Sequence, residues 1–178
     1  MAGHFVLFDT ALGRCAIAWT ARGIAGLQLP ESDEVALRAA VERKHAGFIE
    51  AAPAAAVSAA MAGVRAVLSG ERRALDEITL DLAGIPPFHE RVYMEARRIL
   101  PGHTRTYGEL AHTLGKPGAA RAVGQALGAN PFALIVPCHR VLAAGGRLNG
   151  FSAYGGIHTK QRLLEIEGAL PRKADSLF

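Results

Sequence analysis

Residues 106–129 read TYGELAHTLGKPGAARAVGQALGA, and this stretch sets the architecture of the second half of the chain. Thr106, with Glu109 three positions on, fits a capping box: the hydroxyl accepts from the Glu109 backbone N–H while the carboxylate reaches back. The helix it opens runs to Leu114, where Gly115-Lys116-Pro117-Gly118 breaks it. A second helix follows from Ala119 to about Ala129. Ala120, Val123 and Leu127 form its inner stripe, and Arg121 and Gln125, four apart, share a more exposed face. Two short helices joined by a Gly-containing turn make a helix-turn-helix pattern. Helices that read a base sequence present Asn, Gln or Arg to base edges. Here the leading turn is Gly118, Ala119, Ala120 and Ala122, a smooth surface with one arginine. That surface suits a protein seeking damaged bases rather than a sequence; two core helices of an enzyme with no nucleic acid nearby are the alternative.

Downstream, the apolar run Ala133-Leu134-Ile135-Val136 predicts a strand-like segment leading into Pro137-Cys138-His139-Arg140-Val141. A thiol flanked by an imidazole and a guanidinium has its pKa lowered from about 8.5, which raises the thiolate fraction. Cys138 is therefore a candidate nucleophile, set against packing as the ordinary use of a cysteine after a hydrophobic run. Successive side chains diverge in a strand or helix, so adjacent Cys138 and His139 pair more easily through a water, with a carboxylate orienting the far ring nitrogen. Glu165 or Glu167, on a last helix with Leu163, Leu164 and Ile166, can supply it. Gly145-Gly146 suits a hairpin turn. The glycine-rich stretch Leu148–Gly156 suits the wall of a flat pocket. No phosphate-binding glycine loop and no paired metal-ligand spacing occur, so no cofactor and no metal are expected.

The chain has 178 residues, half of them hydrophobic, enough for one large or two small domains, and no apolar run reaches the length of a membrane span. No membrane association is expected. Two cysteines, Cys15 and Cys138, without a CxxC pair argue against a disulfide framework and suit a reducing cytoplasm. Charge is divided unevenly. Residues 1–84 carry 8 Lys and Arg against 10 Asp and Glu; residues 85–178 carry 12 against 6. The basic second half points to a polyanion such as nucleic acid, or to a solvated basic face with no ligand.

In the first half, His4–Asp9, Arg14–Thr20 and Gly23–Leu29 read as strands, 33–45 and a segment opening near Pro53 as helices, and Ile78–Leu82 as a last strand. The second of these helices shows Val57, Met61, Val64 and Leu68 at helical spacing. Cys15 sits in a strand pattern and reads as structural. Gly84-Ile85-Pro86-Pro87 marks the joint, and a helix from about Phe88 to Leu100 follows it. The expected division is an α/β scaffold over 1–84, a mainly α domain with the helix-turn-helix over 85–170, and a tail over 171–178.

Tyr107, the 118–124 segment, Asn130-Pro131, Pro137-Cys138-His139-Arg140-Val141, Gly155-Gly156, Lys160 and Leu163-Leu164…Glu167-Gly168 resemble the O6-alkylguanine-DNA alkyltransferases, in order, from about Pro86 to Gly168. The resemblance implies a ribonuclease-H-like first domain and a winged-helix-like second one. It implies that Cys138 takes the alkyl group from O6 of guanine in double-stranded DNA, and O4-alkylthymine is a further candidate substrate. His139 acts through a water as base, Glu167 holds its tautomer, Asn130 braces the cysteine turn, and Tyr107 presses on the phosphate beside the target and protonates the departing guanine. Arg121 fills the gap left by the flipped base. Ala119, Ala120, Gly124 and Arg140 complete the DNA surface, while Val141, Leu127, Tyr154 and Gly155 line the base pocket. A thioether has no easy leaving path, so the protein is expected to act once, as a monomer, without a transcription-activating role. The first half lacks the cysteines with which vertebrate relatives hold zinc. Two other classes remain at this point: a non-repairing alkyltransferase-like binder, against which the retained Cys138 argues, and a cysteine hydrolase, against which the adjacent Cys-His order argues.

Overall fold

A computed structural model describes residues 2–170, so the tail expected at 171–178 lies outside the described residues. The first half is built on strands β1 (His4–Thr10), β2 (Gly13–Thr20) and β3 (Gly23–Gln28), joined as an antiparallel meander. Gly13, at φ 131°, closes the first hairpin, and the Thr10 hydroxyl donates to its carbonyl. Gly23, at φ 143°, opens β3 against the Thr79 carbonyl, where a Cβ would come within 2.6 Å of the oxygen. Only glycine fits there. Helix α1 (Glu34–Lys44) begins at an Asp33 cap that accepts from the Ala36 N–H; β4 (Ile49–Glu50) then adds in parallel beside β1, giving the order β3-β2-β1-β4.

Strand β2 is buried from Cys15 through Trp19. A half-exposed strand would alternate, and this one does not because both faces are covered. Ala16 packs with Leu37 and Val41 of α1 on one side. Cys15, Ile17 and Trp19 join the main core on the other, with Val57, Met61 and Val64 of α2 (Ala55–Leu68).

The expected strand at Ile78–Leu82 is a single bridge, Ile24 to Leu80. The chain turns away at Asp81, whose carboxylate accepts from Thr20, Arg22 and the Ala83 N–H. Helix α3 (Pro87–Ala96) ends four residues before the expected Leu100. Its last turn tightens into i→i+3 bonds ahead of Pro101, which disfavours helical geometry in the residue before it. Arg97, just past its end, donates to the carbonyls of Leu75 and Ile78 and clasps the two halves together.

Beyond α3, a two-residue strand β5 (Arg105–Thr106) leads directly into α4 (Tyr107–Thr113). The Thr106–Glu109 capping box is formed in both directions. Gly115 and Gly118 take left-handed angles in the turn before α5 (Ala120–Gly128). β5 pairs in parallel with β6 (Val141–Leu142), a contact the sequence pattern did not suggest. Helix α6 (Ile157–Ile166) closes the described chain. The result is a mixed α/β protein, with six helices among the described residues. Among the described residues no helix is long and apolar enough to cross a membrane.

Candidate active site

The segment expected to run as a strand into Cys138 is instead a tight turn. Leu134 is left-handed at φ 68°, and the Val136 N–H reaches the Phe132 carbonyl. Four consecutive apolar residues signal burial, which all of them share in some degree, but burial here comes from packing and not from sheet pairing. Asn130 holds the turn from inside: its Nδ2 donates to the Val136 carbonyl at 3.0 Å and its Oδ1 accepts from the Phe132 N–H at 2.8 Å. From outside, the Leu27 N–H of β3 donates to the Pro131 carbonyl. A left-handed leucine costs on the order of 1 kcal/mol, and these bonds over-determine it.

Cys138 follows at the first position of a single 3₁₀ turn, Cys138–Arg140. It is 8% exposed and lies on the floor of a cavity of about 740 Å3. Tyr107, Arg121, Gly124, Leu127 and Phe151 line the walls and mouth. Burial pushes the thiol up, and the Asn130 amide and the Lys160 ammonium pull it partly back. The expected lowering by His139 and Arg140 is not what the site provides. His139 is held neutral by burial, and Arg140 is turned away from the sulfur.

Behind the sulfur, His139 is fully buried and its Nε2 lies 2.9 Å from Oε1 of Glu167 at the end of α6. A carboxylate there fixes the proton on Nε2, leaving Nδ1, which has no partner among the described residues, as the basic nitrogen. Burial by itself would raise the Glu167 carboxyl. The charges and hydrogen bonds of His139 and Arg140 more than offset this and hold it at about 2. Of the two candidate carboxylates, Glu167 therefore serves the imidazole, while Glu165 accepts from Gln161 on its own helix.

The chain that carries this arrangement is similar to known proteins. Residues 87–169 match a family described as the DNA-binding domain of 6-O-methylguanine DNA methyltransferase. The methylated-DNA–protein-cysteine methyltransferase of Mycobacterium bovis is 49% identical over 112 residues, 63% of this chain and 66% of that one, so the matched segment spans about two thirds of the curated relative. The crystal structure of Mycobacterium tuberculosis OGT in complex with DNA superposes with a TM-score of 0.76 at 37% identity, covering 93% of each chain. The chain belongs to the O6-methylguanine–DNA methyltransferase family. The methyltransferase of Pyrococcus kodakaraensis, at 28% identity, covers 93% of this chain and 99% of its own with a TM-score of 0.71.

Within this family member the expected site residues divide into three groups. Cys138, Tyr107, Arg121, Ala120, Gly124 and Leu127 meet at the cavity. His139, Glu167 and Asn130 stand directly behind it. The remainder are placed elsewhere. Arg140, expected on the DNA surface, is only 5% exposed; it grips both Glu167 oxygens through Nε and Nη2 and donates from Nη1 to the Ile99 carbonyl. Its donors are spent inside the protein, because a buried carboxylate between an imidazole and nothing else would be under-compensated. Val141 is fully buried in the β5–β6 pair behind the wall, Ala119 precedes the lining face of α5, and Tyr154 and Gly155 are exposed outside the lining, with Tyr154 at 56%.

Lys160, quoted in the resemblance without a role, proves central. It is fully buried on α6, its Nζ donates to the carbonyls of Val141 and Asn149, and it lies 5.8 Å from the Tyr107 ring centre. Burial lowers its pKa to about 8. Asn149, Phe151 and Ser152, within the glycine-rich stretch expected to wall the pocket, line the cavity, whereas Tyr154 and Gly155 of the same stretch do not. A buried lysine gives no periodic signal of its own; only its position on the inner face of α6, one turn before Leu163 and Leu164, marks it. Among the described residues no group of three or more His, Cys, Asp or Glu gathers as a metal set.

Proposed function

We propose that this protein reverses guanine alkylation in DNA directly, moving an alkyl group from O6 of guanine to Sγ of Cys138 in one irreversible step. The observation that carries the reading is Cys138 on the floor of an open cavity, with His139 and Glu167 linked behind it and Arg121 of α5 at the mouth. Reaction requires the sulfur in line with the alkyl carbon, so the base must leave the duplex. Tyr107 presses on the phosphate beside the target, and Arg121 occupies the space the base vacates, offsetting part of the flipping cost of a few kcal/mol.

The S–C bond forms as the C–O6 bond breaks. The thiol proton passes through a water to Nδ1 of His139, and the departing guanine takes a proton from the Tyr107 hydroxyl, which solvent then restores from His139. Glu167 stabilises the transient imidazolium, as a carboxylate does behind a catalytic histidine. The thioether product keeps the alkyl group, and the protein is spent.

Finer parts of the reading follow from the same framework. The β3-β2-β1-β4 sheet between α1 and α2 supports a ribonuclease-H-like domain over 1–84. The α4–α5 unit, with the β5–β6 pair and the Ala143–Arg147 reversal beyond it, supports a winged-helix domain over 85–170. The protein works as a monomer in the cytoplasm, where its two free thiols stay reduced, and O4-alkylthymine remains a candidate second substrate.

The test is intact-mass measurement after incubation with O6-methylguanine duplex DNA. One methylene unit must be gained on Cys138, and its absence, or the same gain in Cys138→Ala, removes the reading. Arg121→Ala is expected to slow transfer on duplex at least tenfold more than reaction with free O6-benzylguanine; equal slowing on both would deny Arg121 a flipping role. Binding to duplex should weaken as salt rises, as phosphate contacts require.

A further inference from the structure

Three glutamines occur in the chain, and two of them are tied to carboxylates: the Gln28 amide donates to Glu31, and the Gln161 amide to Glu165. Gln125 is the exception. It stands exposed on α5, lines the cavity mouth, and follows Arg121 by four residues, so the two side chains leave one face of the helix about 6 Å apart along its axis.

The ground around Gln125 is bare. A Cβ on Gly128 would meet nothing within 4 Å, and one on Gly124 would touch only the Tyr107 ring at 3.8 Å. Among the described residues the Gln125 amide makes no hydrogen bond, unlike those of Gln28 and Gln161. On a helix face otherwise made of alanine and glycine, Arg121 and Gln125 are the two groups able to reach into a groove. Arg121 is accounted for by the flipped base; Gln125 is not.

We infer that Gln125 reads the base pair flanking the lesion and so sets the sequence context in which alkylguanine is repaired fastest. This rests on the DNA-repair reading above. With Arg121 in the gap left by the target base, a side chain 6 Å further along the helix axis meets the edge one to two base steps away. A glutamine amide both donates and accepts, which lets it engage two edge atoms of one base. In the minor groove only a G·C pair offers a donor beside an acceptor, whereas in the major groove adenine offers that combination. The favoured flank therefore also reports which groove α5 enters.

Single-turnover transfer is measured by intact mass on four O6-methylguanine duplexes that differ only in the flanking pair, using wild type, Gln125→Ala and the near-isosteric Gln125→Met. The ratio of rates between the best and worst flank is expected to shrink by about fivefold in both variants, the worth of one hydrogen bond near 1 kcal/mol. A substitution that merely loosened α5 would slow every duplex alike and leave the ratio intact. An unchanged ratio in both variants, or no flank dependence in wild type, overturns the assignment while leaving the repair reading in place. Failure of wild type to take up a methyl group on any duplex overturns both.

Discussion

Each half of the chain buries one cysteine, and the two differ in everything except burial. Cys15 lies in β2, fully covered, with the Thr10 hydroxyl 3.7 Å away and the core between sheet and α2 around it. Burial pushes its thiol up to about 11, and the Thr10 hydroxyl pulls back only weakly. Cys138 is nearly as enclosed, and burial raises it too. Yet it opens on a cavity, has a buried ammonium and an amide beside it, and is followed by an imidazole whose acid partner is already in place. Burial therefore does not separate an inert thiol from a working one; access and the groups facing the sulfur do. The largest effect follows directly. Cys138→Ala should take up no methyl group from O6-methylguanine DNA, whereas Cys15→Ala should be fully methylated at a rate within about twofold of wild type, both read by intact mass.

The comparison extends to what stands behind each sulfur. Around Cys15 stand apolar side chains, the Thr10 hydroxyl and the Gly13 carbonyl at 4.0 Å, so replacing an apolar neighbour costs packing alone. Behind Cys138, Glu167 compensates Arg140 and His139 together. Glu167→Gln keeps the shape but leaves the Arg140 guanidinium buried without a charge partner. We expect a loss of about 3 kcal/mol in urea unfolding, the lower end of what breaking a buried pair costs. Transfer should slow at least tenfold, because an amide no longer favours the imidazolium. Arg140→Met restores charge balance only if Glu167 is also changed, so the Glu167→Gln/Arg140→Met pair should recover stability without recovering rate. Recovery of both would mean that Glu167 serves packing alone.

How much of this was legible in the sequence depended on whether a residue's role leaves a local trace. The helix-turn-helix and its capping box are local: Thr106, Glu109, Gly115 and Gly118 each act within a few positions, and α4 and α5 form as their spacing predicts. The meander β1–β3 is legible for the same reason, through Gly13 and Gly23. The turn at Leu134 is not, because an apolar run is equally consistent with a strand and with a buried turn held by Asn130. The resemblance places Arg140 on the DNA surface; only the return of α6, 27 residues later, reveals the carboxylate that holds it inside. The glycine-rich stretch Leu148–Gly156 reads as pocket wall, and its Asn149–Ser152 part, pinned by Lys160 through the Asn149 carbonyl, does line the cavity; Tyr154 and Gly155, which the resemblance assigns to the base pocket, stand outside it.

Lys160 gives the next contrast. Its ammonium bears on Cys138 and not on Cys15, so Lys160→Met should move the pH profile of Cys138 alkylation by iodoacetamide to higher pH and slow it severalfold at pH 7. The Cys15 profile should stay where it is. An unmoved Cys138 profile would reduce Lys160 to a strut for the pocket wall, visible then only as weaker binding of free O6-benzylguanine.

The smallest effect concerns the network at the end of the first half, just ahead of the joint. Asp81 accepts from Thr20, Arg22 and the Ala83 N–H, and chiefly the Arg22 bond holds its carboxyl at about 2, below the ordinary 3.8. A carboxyl lowered on folding contributes stability that is complete above its unfolded value and is lost as pH falls through its folded one. Asp81→Asn should therefore cost a few degrees of thermal midpoint at pH 7, and the gap to wild type should close as pH drops from about 4 toward 2. Arg22 is half exposed, so solvent screens the pair and the effect is modest. Methyl transfer by Asp81→Asn at neutral pH should match wild type, since the network reaches the cysteine turn only through β3 and its Leu27–Pro131 bond. A slowed transfer with an unchanged midpoint would reverse the assignment, making the Asp81 network part of the site's positioning rather than of the fold's stability.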